Sequence, residues 1–336
     1  MKKKFLLLLK IGGIASIALV VLISLLFVTF LLWPMAPAQP KTKSPYLHKC
    51  PCPLILAHQG ASGHAPSNTI ASFALAQRMR ADVLELDVHM SKDGVVVVSH
   101  DATVDRMTNG QGLIKEKTFA ELKKLDAGYR FTKDGNTFPY RGQKITIPTL
   151  KEVFKRFPKM RVNIEIKQRS PRMEKALLKV IQLEKAQKRV LIGSFSTNPT
   201  SRFQKLTEGQ IPASASVSQA FKFLVLWQLG WHGTWKSPVQ ALQLPHRFPG
   251  FMDVIQAPAM ISFAHKHNMH VHYWTVNTTK DIQRAIRSGA DGIISDYPDR
   301  VYDVLHKMGK RPPIPKQKVL KRTSPNTKET KSSNRP

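Results

Sequence analysis

Between residues 53 and 309, short apolar runs of strand length alternate with longer amphipathic stretches, and this alternation restricts the fold more than any other feature of the chain. The runs are 54–57, 83–89, 95–99, 161–167, 190–194, 271–276 and 292–295, the second and third joined by a turn at Lys92-Asp93-Gly94. Helical stretches are predicted over 68–79, 119–125, 150–157, 172–186 and 280–288. Strands separated by helices are βα units, which build a parallel sheet. About seven or eight such units close into a ring more readily than they spread into an open sheet, so the predicted fold is α/β, a TIM (β/α)8 barrel. A barrel of ~250 residues fits inside the 336-residue chain as one domain with appendages. Functional side chains then belong at the C-terminal ends of strands and in the loops that follow.

The appendages differ from the barrel in composition. Residues 1–33 open with Lys2, Lys3 and Lys4 and continue as an apolar run from Ile11 to Trp33, with no charge after Lys10. About 20 apolar residues span the hydrocarbon of a bilayer, so this stretch predicts a transmembrane signal anchor. The apolar core of a cleavable signal peptide is shorter, ~7–15 residues, although Ala36-Pro37-Ala38 keeps cleavage open as the alternative. The Lys cluster orients a single-pass anchor with everything after Pro34 on the non-cytoplasmic side, against the pull of Lys41, Lys43 and Lys49. Residues 34–52, rich in Pro, Lys and Ser, are expected to be a linker needing no fold of its own. Residues 310–336 hold nine basic residues, five prolines and one acid, the composition of a basic disordered tail.

The net charge of +30 divides as +7 over 1–52, +15 over 53–309 and +8 over 310–336. A cationic surface of that size attracts polyanions, either nucleic acid or an anionic lipid leaflet. No nucleic-acid-reading module accompanies the charge, so the membrane is the expected partner and nucleic acid is not. The two cysteines, Cys50 and Cys52, exclude a disulfide-stapled scaffold and a four-cysteine zinc site.

Polar residues interrupt the strands at a few places. His58 follows the first strand, Glu85 and Asp87 sit inside the second, His100-Asp101 closes the third, and Glu165 and Lys167 share the next. Residues two apart on a strand point the same way, so Glu85 pairs with Asp87, and Glu165 with Lys167. Ionised carboxylates inside a barrel are costly without a partner, and a shared hard cation removes that cost. Three carboxylates without thiols or clustered histidines favour Mg²⁺ or Ca²⁺ over structural zinc; ion pairs with Lys or Arg are the alternative. His58 and His100 converge on the acidic cluster, where imidazole serves as acid or base near neutral pH. Lys167 is then placed to bind a non-bridging phosphate oxygen.

The chain resembles the glycerophosphodiester phosphodiesterase family, in its membrane-anchored bacterial form. The matching segments are His58-Gln59-Gly60, Pro66-Ser67-Asn68-Thr69, Glu85-Leu86-Asp87, His100-Asp101, Glu165-Ile166-Lys167, Trp274-Thr275-Val276-Asn277 and Asp291-Gly292-Ile293-Ile294-Ser295-Asp296-Tyr297-Pro298, in family order across 53–309. The resemblance implies a TIM barrel with a divalent metal on Glu85, Asp87 and Glu165. It implies acid and base roles for His58 and His100, and a substrate-lining Trp274. It also implies attack by a free glycerol 2-hydroxyl on phosphorus, giving a cyclic phosphate that water opens. The expected substrates are glycerophosphodiesters or lysophospholipids, hydrolysed to a phosphomonoester and an alcohol. A non-catalytic binder of phosphate-containing lipid or polymer on the same barrel is the alternative. Two positions depart from the family pattern: Gln59 and Ser67 stand where Arg and Glu are usual, which weakens the phosphate contact expected at Gln59.

Residues 221–235 hold three tryptophans and only one charge, Lys222. They form either a buried barrel helix or an acyl-chain entrance touching the bilayer. His246, His265, His267, His270 and His272 are expected to be surface or structural residues.

Overall fold

A computed structural model describes residues 16–17, 19–29, 45–47, 52–230, 239–247 and 258–312. Its strands are β1 (Leu54–Ala57), β2 (Val83–Met90), β3 (Val96–Val98), β4 (Arg161–Ile166), β5 (Val190–Gly193), β6 (Ala241–Pro245), β7 (His270–Trp274) and β8 (Gly292–Ser295). All except β3 are parallel, in the order β5-β4-β2-β1-β8-β7-β6. The two ends of this order meet through a two-residue bridge, where Ala213 pairs with Ile192 of β5 and Ser214 pairs with Ala241 of β6. The ring is therefore of the TIM type, with its eighth stave reduced to residues 213–214.

The run 95–99, expected among the strands of the barrel and joined to 83–89 by a turn, lies outside the ring. β3 pairs antiparallel with β2, Val88 opposite Val98. The reason is the tight turn at Lys92-Asp93-Gly94, since a parallel crossover needs a dozen or more residues.

Helices cover the outside of the ring: α1 (Ile70–Arg78), α2 (Phe119–Leu122), α3 (Leu150–Arg156), α4 (Glu174–Leu183), α5 (Thr197–Leu206), α6 (Val217–Gln228), α7 (Pro258–Lys266), α8 (Thr279–Ser288) and α9 (Pro298–Lys307). Thr69, Thr118, Thr149 and Ser216 start α1, α2, α3 and α6 with reciprocal capping boxes, so each helix begins at a fixed point after its loop.

Strand alternation sorts the side chains into two cores. Leu84, Leu86 and Val88 of β2 and Val162, Ile164 and Ile166 of β4 face the helices, with Phe73, Phe154 and Leu177 against them. Their alternates face the barrel axis and change character with height. The floor is apolar, built from Leu54, Leu56, Val83, Leu191, Ala241 and Ile294 around a fully buried Tyr46. Above it, Gln243 Nε2 lies 3.2 Å from Asn163 Oδ1 and 3.3 Å from His272 Nδ1. The carboxylates of β2 and β4 come next, toward the C-terminal mouth.

Tyr46 corrects the expectation for 34–52, because residues 45–47 form a short turn whose aromatic ring plugs the barrel floor. The predicted membrane span lies in part outside the described residues. Within it, residues 19–29 are helical with exposed side chains, and among the described residues no helix is long and apolar enough to cross a membrane. Cys50, Trp231, Trp235 and the tail beyond residue 312 also lie outside the described residues.

Candidate active site

β2 presents Glu85 and Asp87 to the barrel axis, and its register with β4 sets Asp87 directly beside Glu165. One carboxylate oxygen from each of these three residues lies within 4.8 Å of the others. Glu85 and Asp87 are buried, and the cluster repels itself. Burial, reinforced by the charge of Asp87, pushes Glu85 up to about 8. Burial likewise pushes Glu165 up to about 7, although the Lys167 ammonium opposes the rise. Lys167 reaches back across the cluster, its Nζ 3.0 Å from Glu165 and 3.3 Å from Asp87. Burial works against that ammonium, but Asp87 and Glu165 hold its pKa above the ordinary lysine value. Lys167, the candidate phosphate ligand, is thus held at the cluster by Asp87 and Glu165.

The donor set fits a hard divalent cation. All three ligands are carboxylate oxygens, and the buried Oε1 of Glu165 has no hydrogen-bond partner among the described residues. The other oxygens are held in place from the loop after β1. The Gln59 backbone N–H donates to Glu85 Oε2 at 2.8 Å. Asn68 clamps Asp87 at both ends: its amide donates to Oδ2 at 2.9 Å, and its Oδ1 accepts from the Asp87 N–H at 3.2 Å. Gln59 and Asn68 both adopt left-handed backbone, φ 52° and 58°, and the Asn68 N–H donates to the Gln59 carbonyl. Between them Gly60 is required, since at φ 84° a Cβ would sit 2.3 Å from Ser72 Oγ. Gln59 thus meets the cluster through its backbone, and its buried side chain does not line the cavity above.

Both histidines are held by carboxylates. His58 Nδ1 lies 2.7 Å from Asp296 Oδ1, and Asp296 also accepts from Ser62 Oγ at 2.7 Å and Asn277 Nδ2 at 2.6 Å. Burial opposes the imidazolium of His58, but the Asp296 hydrogen bond and the charges of Glu85, Asp296 and Asp87 outweigh it and push the pKa up to about 9. His100 follows β3 in a partly exposed position, with Nδ1 2.7 Å from Asp101 Oδ1. Asp101 takes Arg106 Nε on its other oxygen. Both carboxylates take Nδ1, and among the described residues neither ring has a hydrogen-bond partner at Nε2. Sequence reasoning assigned no role to Asp296, Asp101, Asn68 or Asn277, although all four lie in the segments that carry the family resemblance.

These groups open into a cavity of about 480 Å³. His58, Glu85, His100, Glu165 and Lys167 line one side; Trp274, Phe195 and the start of α6 line the other. Phe195 stands between the two sides, edge-on to Trp274 at 5.5 Å and with Lys167 Nζ 5.2 Å from its ring centre. The remaining histidines lie elsewhere. His265 bonds Asp291 at 2.8 Å, and burial pushes His272 down to about 3 inside the barrel.

The model of the glycerophosphoryl diester phosphodiesterase family matches residues 58–300. A glycerophosphodiester phosphodiesterase of Caldanaerobacter subterraneus is 36% identical over 265 residues, covering 76% of this chain and 99% of that protein. A lysophospholipase D of Rattus norvegicus is 27% identical over 278 residues, 75% of this chain and 86% of that one. Among solved structures, an Oleispira antarctica phosphodiesterase in complex with the product sn-glycerol-3-phosphate superposes with a TM-score of 0.61 at 28% identity. That match covers 76% of this chain and 97% of that one. With its barrel, its acidic cluster and its paired histidines in place along the matched segment, the chain belongs to the glycerophosphoryl diester phosphodiesterase family.

Proposed function

We propose that this chain is a divalent-metal-dependent phosphoric diester hydrolase that cleaves glycerophosphodiesters, and lysophospholipids as a second class, to a phosphomonoester and an alcohol. The observation that carries the reading is the convergence of three mutually repelling carboxylates with two carboxylate-held histidines on one cavity. A Mg²⁺ or Ca²⁺ ion on Glu85, Asp87 and Glu165 would supply electrophilic polarisation of the phosphoryl oxygens.

The chain's own groups divide the proton transfers. His58 is protonated at neutral pH and offers its Nε2–H to the departing alcohol oxygen. His100, with Nδ1 tied to Asp101, presents Nε2 to accept the proton of the attacking hydroxyl. That hydroxyl is the glycerol 2-hydroxyl where it is free; water then opens the cyclic phosphate, with the histidines exchanging roles. Lys167 supplies the positive charge beside the phosphate.

Membrane attachment through residues 1–33 belongs to the same proposal. It is supported by the uncharged apolar run 11–33 and by the exposed apolar side chains from Leu19 to Val28. The deciding experiment is a product assay on glycerophosphocholine, glycerophosphoethanolamine and lysophosphatidylcholine, with Mg²⁺ and Ca²⁺ compared against chelator. Phosphomonoester release that needs metal is expected. Full turnover in metal-free buffer removes the cation, and His100→Ala turning over normally removes the acid–base scheme.

A further inference from the structure

The positive charge of the barrel gathers at one end. Its helices run opposite to its parallel strands, so every connection at the floor leads from a helix C-terminus into the next strand. Taken with the last two residues of each helix, the described floor connections are 77–82, 155–161, 182–189, 205–212, 265–270 and 287–291, with 306–311 closing the series. They hold fifteen Lys and Arg against four Asp and Glu. The described connections at the mouth, 58–71, 91–151, 167–175, 194–198, 215–218, 275–280 and 296–299, hold sixteen against ten in more than twice the length of chain. Two of the four floor acids are engaged, Asp82 with Arg311 and the Ile55 N–H, and Asp291 with His265. Lys155, Arg156, Lys159, Lys185 and Lys188 are exposed. Part of the excess complements helix dipoles, because seven of these helices end at the floor with roughly half a negative charge each. That offsets about four of the eleven surplus charges and leaves the larger share unmatched.

The chain also enters and leaves the barrel at this end. Tyr46 is buried in the floor beside residues 187–189, and β1 starts there at Leu54. After α9, Arg311 closes on Asp82 next to the start of β2. The segment 34–45, which joins Tyr46 to the apolar run 11–33, is twelve residues long and at most ~40 Å when fully extended. With 11–33 in a bilayer, the floor stays within that reach of the head groups and carries the charge that anionic head groups attract. A soluble polyanion has to be recruited from solution, whereas the leaflet is presented by the tether at high effective concentration.

We propose that the basic floor of the barrel docks on an anionic lipid leaflet and holds the catalytic mouth facing away from it. The inference rests on the proposed membrane attachment through residues 1–33, and deepens it by naming the face that lies on the bilayer and the direction in which the cavity opens. Substrate then reaches Lys167 and the carboxylates from the aqueous side, as a soluble glycerophosphodiester or a dissolved lysophospholipid, and not out of the leaflet underneath.

The test places the full chain in nanodiscs of phosphatidylcholine, with or without phosphatidylglycerol, and reads the acetylation rate of single lysines by mass spectrometry at low salt. In the anionic discs Lys155, Lys159 and Lys188 should react roughly fivefold more slowly, the factor that one basic side chain gains at an anionic leaflet, and high salt should restore the rates. Lys92, Lys115 and Lys124, exposed on the mouth side, should react equally in both discs. Glycerophosphocholine turnover should also be equal, because docking at the floor leaves the cavity open. Protection of the mouth lysines, or turnover that falls in anionic discs, overturns the orientation. A chain that stays in the discs with neither end protected overturns the docking and leaves the attachment intact. A chain that does not enter the discs removes the attachment, and sedimentation with phosphatidylglycerol vesicles then reads the face alone. There, Lys155→Glu, Lys159→Glu and Lys188→Glu combined should weaken sedimentation, and the same reversal at Lys92, Lys115 and Lys124 should not; equal effects of the two sets overturn the docking. Polyphosphate protecting the floor lysines where anionic discs do not assigns the face to a soluble polyanion and removes the leaflet.

Discussion

Asp296→Asn is the most demanding test of the proposed acid. His58 titrates near 9 in place of 6.5, and at ~1.36 kcal/mol per pKa unit its imidazolium is favoured by on the order of 3 kcal/mol in the metal-free chain. Burial works against that preference, so hydrogen bonding and charge must exceed the total, and the Asp296 bond is the largest of the favourable causes. An opposite charge at this distance shifts a pKa by ~1–3 units, so the variant should bring His58 down to roughly 6–8. Asparagine keeps the size of the side chain and removes the charge. Histidine NMR titration in chelator, with His58→Ala identifying the resonance, measures the shift free of any cation on Glu85 and Asp87. Because the folded pKa is raised, the stability tied to His58 is fully present below 6.5 and lost as pH climbs through about 9. The stability change between pH 6 and 10 should therefore shrink in the variant. In turnover, a lost orienting carboxylate should lower kcat by ~10²–10⁴ with little change in KM. A His58 midpoint that stays within half a unit of wild type would refute the assignment of Asp296 as its orienting charge.

The acidic cluster predicts a pH-dependent metal effect. Glu85 and Glu165 are raised to about 8 and 7 from 4.5, so the native metal-free chain holds extra protons and loses stability as pH rises from 4.5 through about 8. One fixed Mg²⁺ or Ca²⁺ concentration, ~100 times the Kd at pH 8, adds ~2.7 kcal/mol there, which for a barrel of this size is a rise of roughly 5–10 °C in Tm. The rise should be larger at pH 8 than at pH 5 in thermal unfolding, and an equal rise at both would contradict the raised carboxylates. Asn68→Ala removes both contacts to Asp87 and should weaken metal binding ~10–100-fold by calorimetry, at a cost of ~1–3 kcal/mol in stability. Tyr46→Ala should cost ~3–5 kcal/mol in urea unfolding, as for other large buried aromatics; an unchanged midpoint would show that the floor closes without residues 45–47.

What could be read from the sequence was local. The period of two along 83–89 already places Glu85 and Asp87 on one face, and carboxylates at inward positions need a positive partner, either a metal ion or a Lys or Arg. What could not be read was set by distant partners. Asp296 lies 238 positions from the His58 ring it holds, and Tyr46 is a lone aromatic in a Pro- and Lys-rich stretch whose burial depends on a ring formed later in the chain. Two residues, Ala213 and Ser214, cannot show a strand period, so the eighth stave left no trace. The three valines of β3 look the same in a parallel ring or an antiparallel hairpin, and the turn at Lys92-Asp93-Gly94 is the sequence signal that separates the two. At Gln59 the expectation concerned the side chain, whereas the contact to the cluster is made by the backbone N–H, which no side-chain pattern reveals.

The charge balance of the site gives the two unusual residues a physical meaning. His58 with Asp296, and Asp101 with Arg106, are locally neutral pairs at neutral pH. When all three are ionised, Glu85, Asp87 and Glu165 against Lys167 carry an excess of two negative charges, which one divalent cation would cancel. Lys167, now paired with Asp87 and Glu165, would compete with such a cation for the same carboxylates and would be free for a phosphate once the cation was held there. Residues 59 and 67 sit on either end of the turn joined by the Asn68 N–H and the Gln59 carbonyl, so an Arg and a Glu at these positions would add a third neutral pair. Replacing both by Gln59 and Ser67 keeps the balance unchanged, whereas replacing one would have left a charge beside a buried carboxylate. The substitutions therefore remove a charged contact to phosphate without disturbing the field that a divalent cation would meet, and Lys167 remains as the lysine lining the cavity beside it.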